Sequence, residues 1–87
     1  MEVQVILTAL GQRIRELRAR KGYSQEAFAD LCGVHRTFMG TVERGESNLS
    51  FTNLAKIAKA LGITLSQLLS GLEKRAETLA KKPPTKG

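Results

Sequence analysis

Leu10, Ile14 and Leu17 recur at spacings of four and three, with Arg13, Arg15, Arg18 and Arg20 filling the positions between them. That period is helical and amphipathic, so a first helix is predicted from Thr8 to Lys21, closed by Gly22. Ahead of it Val3-Gln4-Val5 alternates, and reads either as a short strand or as a backward extension of the helix. Ser24 then supplies a hydroxyl cap and Glu26 a first-turn acid for a second helix, which carries Ala27, Phe28 and Leu31 and runs to about Cys32. Gly33 allows a sharp exit, and a third helix opens at His35 with Phe38, Met39 and Val42 at helical spacing before Arg44-Gly45. Met39 and Val42 are expected to pack on Leu31 and Ile14. After a polar loop from Glu46 to Asn48, Ser50 caps a fourth helix whose Leu54, Ile57, Ala58 and Leu61 form one stripe, stopped by Gly62. Thr64 and Gln67 make a capping box for a fifth, with Leu65, Leu68, Leu69 and Leu72.

The pattern therefore predicts an all-α, compact five-helix domain over residues 10–72. Residues 1–9 form an N-terminal extension and residues 73–87 a polar, basic tail. Helix-forming residues continue from Glu73 to Lys82, though Gly71 weakens the run and Pro83-Pro84 ends it. No internal repeat or second domain is visible.

With 87 residues in all, there is room for one small core, which excludes the large α/β and propeller architectures that house most enzymes. Fourteen lysines and arginines against eight acids give a formal charge of +6, a balance that favours a polyanionic partner. No apolar run approaches the ~20 residues of a membrane span, and Met1 to Leu10 lacks the features of a signal peptide. A cytoplasmic protein is expected. With one cysteine, Cys32, and one histidine, His35, neither a disulfide nor a metal-ligand set can be assembled within the chain. Cys32 is expected to pack as a small apolar residue, with redox sensing as the alternative. No paired nucleophile and base, phosphate loop or metal cluster appears, so neither an enzyme, a cofactor nor a small-molecule ligand is expected.

Two short helices joined by a tight glycine turn constitute a helix-turn-helix. Its second helix must enter a major groove about 12 Å wide, so its outward side must be small or hydrogen-bonding and its inward side apolar. Arg36, Thr37, Gly40 and Thr41 meet the first condition. Arg36 is the leading base reader, because a guanidinium pairs in bidentate fashion with guanine O6 and N7; the alternative is a phosphate contact. Thr37 and Thr41 each offer a hydroxyl and a methyl to a base, or else bond their own helix carbonyls. Phe38 joins either the core or the sugar-phosphate edge. His35 caps the helix or touches a phosphate. Arg44, Ser47, Asn48 and Ser50 flank the reading helix as backbone contacts, with Asn48 alternatively only a turn residue. Ser24 and Gln25 sit at the start of the second helix, where exposed N–H groups attract a phosphate.

The stretch Gln25 to Gly45, QEAFADLCGVHRTFMGTVERG, resembles the helix-turn-helix of the phage-repressor or Cro-like family, also called the XRE family. Leu17-Arg18 before Lys21-Gly22 resembles that family's first helix and Asn53-Leu54 with Ile57 to Gly62 its fourth, so the likeness covers about Leu10 to Leu69. HRTFMGTVERGESNLSFTNL is most similar to the small controller proteins of restriction-modification systems. The resemblance implies that Gln25 reaches the phosphate or first base of a half-site. It further implies a partly buried Arg18–Glu43 salt bridge and an autoregulatory regulator on a double-stranded DNA operator.

Because one reading helix covers few base pairs, specific binding calls for two, and a homodimer on a pseudo-palindromic operator follows. The leucines of the fifth helix, Leu65, Leu68, Leu69 and Leu72, exceed what an outer helix needs, so part should seal the core and part form the interface, with Ala76 to Leu79 as its extension; the alternative is that all four are intramolecular. An antitoxin, whose helix-turn-helix also represses its operon, is the alternative; it would need a toxin-binding segment, for which residues 73–87 are short and polar.

Overall fold

A computed structural model describes residues 2–81 of the chain. Six helices follow in order: α1 (Val3–Arg20), α2 (Gln25–Cys32), α3 (Arg36–Glu43), α4 (Phe51–Leu61), α5 (Leu65–Leu69) and α6 (Leu72–Lys81). No strand occurs among the described residues. The boundaries follow local chemistry. Ser24, Ser50 and Thr64 each accept a hydrogen bond from the backbone N–H three residues on, and Thr64 with Gln67 completes a capping box.

The ambiguous Val3-Gln4-Val5 segment is helix. Gln4 donates from Nε2 to the Gly45 carbonyl at 2.8 Å, while Val5 and Ile6 pack against the core, so tertiary contacts carry α1 back beyond Thr8. The helical run anticipated past Glu73 forms α6, set off from α5 where Gly71 takes a φ of 72°. Expected as the start of a tail, residues 73–81 pack back on α1: Ala76 is buried, Leu79 joins the core edge, and Arg75 donates to both carboxylate oxygens of Glu16 at 2.7 and 2.9 Å. The Arg75 guanidinium holds the Glu16 carboxyl below its ordinary range. Residues 82–87, including Pro83-Pro84, lie outside the described part.

Phe28, Ile14, Met39, Ile57, Leu61 and Leu68 form the centre of a single core drawn from the first five helices. One expected contact differs. Met39 and Val42 pack with Ile14 but Leu31 is 52% exposed, because the short α2 turns Phe28, Ala29 and Cys32 inward. At about 100° per residue Leu31 then lies well off that line.

Burial leaves Cys32 only 5% exposed and pushes its thiol up to about 11. Thiolate is therefore scarce near neutral pH, which disfavours the redox alternative. Iodoacetamide is expected to label the native thiol at least about a hundredfold more slowly than the urea-unfolded one at neutral pH. Equal rates would contradict this burial.

Candidate nucleic-acid interface

The turn between α2 and α3 is built on Gly33, whose φ of 75° is open to glycine and strained for other residues. The Gly33 and Val34 N–H groups close onto the Asp30 and Ala29 carbonyls, and His35 then caps α3 by accepting the Thr37 N–H on Nδ1 at 3.0 Å. His35 thus serves α3 geometry directly. Met39, Val42 and Glu43 face inward, and Gly40, expected on the outward side, is buried because the Gln25 and Arg44 side chains lie over it, while Arg36, Thr37 and, at the helix end, Arg44 are exposed.

The inward side is locked by a polar network. Arg18 donates through Nε and Nη2 to the two oxygens of Glu43 at 2.7 and 3.0 Å, and through Nη1 to the Tyr23 carbonyl at 2.9 Å. Gln25 donates from Nε2 to Glu43 Oε1 at 3.1 Å. One carboxylate therefore fixes α1, the first residue of α2 and the end of α3 relative to one another. Gln25 is half-buried by this contact, and its amide oxygen lies beside Gly40.

The other residues expected to meet DNA divide clearly. Arg36 projects into solvent with Nη1 3.6 Å from Glu26, an exposed and weak ion pair that leaves the guanidinium available. Thr41 is half-buried, and its hydroxyl donates to the Phe38 carbonyl at 2.7 Å while meeting the Ser47 hydroxyl. Thr41 and Ser47 thereby join α3 to the loop before α4. Phe38 is half-buried against the core. Ser24 and Ser50 are engaged as caps of α2 and α4, Asn48 is exposed, and Arg44 pairs with Glu46 at 3.2 Å. Arg36, Thr37 and Arg44 are thus brought to one exposed face, with Gly40 and Gln25 beside them and Thr41 at the edge.

Among the leucines expected at a subunit interface, Leu68 and Leu72 lie in the chain's own core, Leu65 is half-buried and Leu69 is 39% exposed. Phe51, at the start of α4, is 71% exposed and adds an apolar surface that the four leucines do not include. It stands three residues before Leu54 and seven before Ala58, in register with the buried stripe, so the periodicity carries no signal of its exposure. Arg13 was also unassigned: it donates to the Gln67 and Leu68 carbonyls at 2.7 Å each and closes the end of α5.

A helix-turn-helix whose second helix is apolar inward and cationic outward defines the class, and the chain belongs to the helix-turn-helix family, which matches residues 14–68. It is similar to the control protein C.MunI of Mycoplasma sp, 45% identical over 65 residues that cover 74% of this chain and 88% of the relative. Among solved structures, the restriction-modification controller protein C.AhdI from Aeromonas hydrophila aligns with a TM-score of 0.70 and 50% identity, covering 71% of this chain and 94% of that one. SinR, a master regulator for biofilm formation solved in complex with DNA, aligns at 0.66 with 34% identity, over 70% of this chain and 98% of that one. No helix among the described residues is long and apolar enough to cross a membrane.

Proposed function

We propose that this chain is a sequence-specific DNA-binding transcriptional regulator of the restriction-modification controller kind. It works in the cytoplasm as a homodimer on a pseudo-palindromic operator and controls its own operon. The observation that carries this reading is the exposed face of α3, where Thr37 and Arg36, the latter only weakly paired with Glu26, face solvent at the helix start while Glu43 anchors its far end. Its 45% identity to a control protein supports the controller assignment. Arg36 is the base reader, Thr37 an adjacent contact, and Arg44 a backbone contact. Thr41, its hydroxyl already bonded within α3, offers a base its methyl group. Leu69, Leu65 and Phe51 supply the apolar surface for pairing, with Leu68 and Leu72 supporting it from behind. Because α6 packs on α1, the toxin-binding tail required by the antitoxin alternative gains no support.

The test uses DNA from immediately upstream of the gene. Footprinting should show two protected half-sites related by two-fold symmetry and about 34 Å apart. Arg36→Ala should lose ~1–3 kcal/mol on that duplex and relax the preference at one position in each half-site, with little loss on random DNA. Equal losses on both duplexes would refute base reading by Arg36.

A further inference from the structure

Between α1 and the helix-turn-helix lies a cleft of about 280 Å³ lined by Arg15, Arg18, Gln25, Gly40, Glu43 and Arg44. Three arginines against one glutamate leave it a net of two positive charges. Arg18 is not free to serve a ligand, since its N–H groups are directed to Glu43 and the Tyr23 carbonyl. Glu43 in turn is held by Arg18 and Gln25. The excess charge therefore resides on Arg15 and Arg44, which come from different helices. Both are exposed. Arg15 has no ion-pair partner among the described residues, and Arg44 has only the exposed Glu46.

Gly40 forms part of the lining. A Cβ placed there would lie 3.2 Å from Arg44 Nη1 and 3.4 Å from Gln25 Oε1, so the absence of a side chain lets these two groups converge. Two exposed guanidiniums, one without an ion-pair partner among the described residues and one in only a surface pair with Glu46, stand beside a side-chain amide and suit a tetrahedral dianion or phosphodiester, which accepts forked N–H donors on its several oxygens. Gly40 and Arg44 also belong to the α3 face that carries Arg36. A group seated in the cleft would thus lie alongside whatever that face reads.

We infer that this cleft seats one phosphodiester of the DNA backbone in each protomer, held jointly by Arg15 of α1 and Arg44 at the end of α3. The inference rests on the DNA-binding reading above and adds α1 to the contact surface. It makes Arg15 a register-fixing residue: α1 is tied to α3 through Glu43, so anchoring both helices to the same phosphate fixes how deeply α3 enters the groove. The contact is blind to sequence.

Salt dependence measures it directly. The full-length protein is titrated with its upstream duplex and with a random-sequence duplex at several salt concentrations, for wild type, Arg15→Ala, Arg44→Ala, the double variant, Arg15→Lys and Arg20→Ala. Thermal melts confirm that each is folded. Each phosphate neutralised contributes about 0.9 to the slope of log affinity against log salt. Arg15→Ala and Arg44→Ala should each lower the slope by about 0.9 per protomer and weaken both duplexes about tenfold. The double variant should lower the slope no further than either single one, because both arginines are needed to hold the one phosphate. Arg15→Lys should keep the wild-type slope and Arg20→Ala should leave it unchanged. An unaltered slope for Arg15→Ala, twice the single loss in the double variant, or an equal loss for Arg20→Ala would each overturn the shared seat while leaving DNA binding intact. So would saturation of the Arg15 and Arg44 side-chain NMR signals by millimolar inorganic phosphate with no slope change for Arg15→Ala, which would mark a free-anion site. Wild-type protein that binds neither duplex at low salt would instead remove the DNA-binding reading, and this inference with it.

Discussion

Gly11→Ala should melt about 12–24 °C below the wild type, corresponding to a loss of about 3 kcal/mol. Gly11 lies in the middle of α1, where alanine would ordinarily be the better helix former, so propensity alone predicts a gain of about 1 kcal/mol. Packing reverses the sign. A Cβ at Gly11 would stand 2.5 Å from the Val42 carbonyl oxygen and 2.6 Å from that of Glu43. These are backbone atoms at the end of α3, so relief requires α1 and α3 to separate, which opens the buried contacts of Ile14, Met39 and Val42. Gly22→Ala provides the contrast. Gly22 has a φ of 81° with nothing within 4 Å of its would-be Cβ, so alanine there meets only backbone strain, about 1–2 kcal/mol. Thermal or urea melts of the two variants decide the matter: if Gly11→Ala is no less stable than Gly22→Ala, the close α1–α3 approach is not what limits this site.

The same contrast explains what was legible in the chain beforehand. Features set by local chemistry could be read directly: the hydroxyl caps at Ser24, Ser50 and Thr64, the turn at Gly33, and the stripe that buries Ile57, Ala58 and Leu61. Features set by another part of the chain could not. The start of α1 carries no side-chain cap and depends on Gln4 reaching the Gly45 carbonyl forty-one residues away. α6 has the composition of a solvated tail, yet Arg75 finds Glu16 and Ala76 finds the core. Leu31 and Leu68 both depart from their expected places: the first, expected in the core, is exposed, and the second, expected at a subunit interface, is fully buried.

At the site, the exposed position of Arg36 at the start of α3 was legible because it is a local property, and it is what makes Arg36 the candidate reader. Arg15 carries the same charge as its neighbours Arg13, Arg18 and Arg20 on one helix. Only the packing of α1 gives Arg13 the end of α5, Arg18 the Glu43 carboxylate, and Arg15 a place beside α3 with no ion-pair partner among the described residues. Most of the chain's positive charge is therefore not equivalent, and counting it identifies the partner class without locating the contacts.

Glu43→Ala should cost about 3–5 kcal/mol, the largest effect of any single side-chain truncation in the polar network. The carboxylate is 4% exposed and its Arg18 partner 13%, so removing it leaves a largely buried guanidinium with two of its donors unsatisfied. Replacing both residues behaves differently. Arg18→Met with Glu43→Leu removes the buried charge altogether and fills similar volume, and should recover most or all of the lost stability. A urea titration of the two single variants and the double completes the cycle, and a loss below about 1 kcal/mol for Glu43→Ala would show that the pair is not an effective buried bridge. Recovery of stability should not restore function, however. Gln25 donates to Glu43 Oε1, and with leucine at that position its amide loses the acceptor that holds it beside Gly40 and Arg44. The stable double variant should therefore still bind its upstream duplex about tenfold more weakly than the wild type, the loss expected for one misplaced polar contact to a charged group. Full affinity in that variant would mean that Glu43 acts through stability alone and that Gln25 does not need to be held.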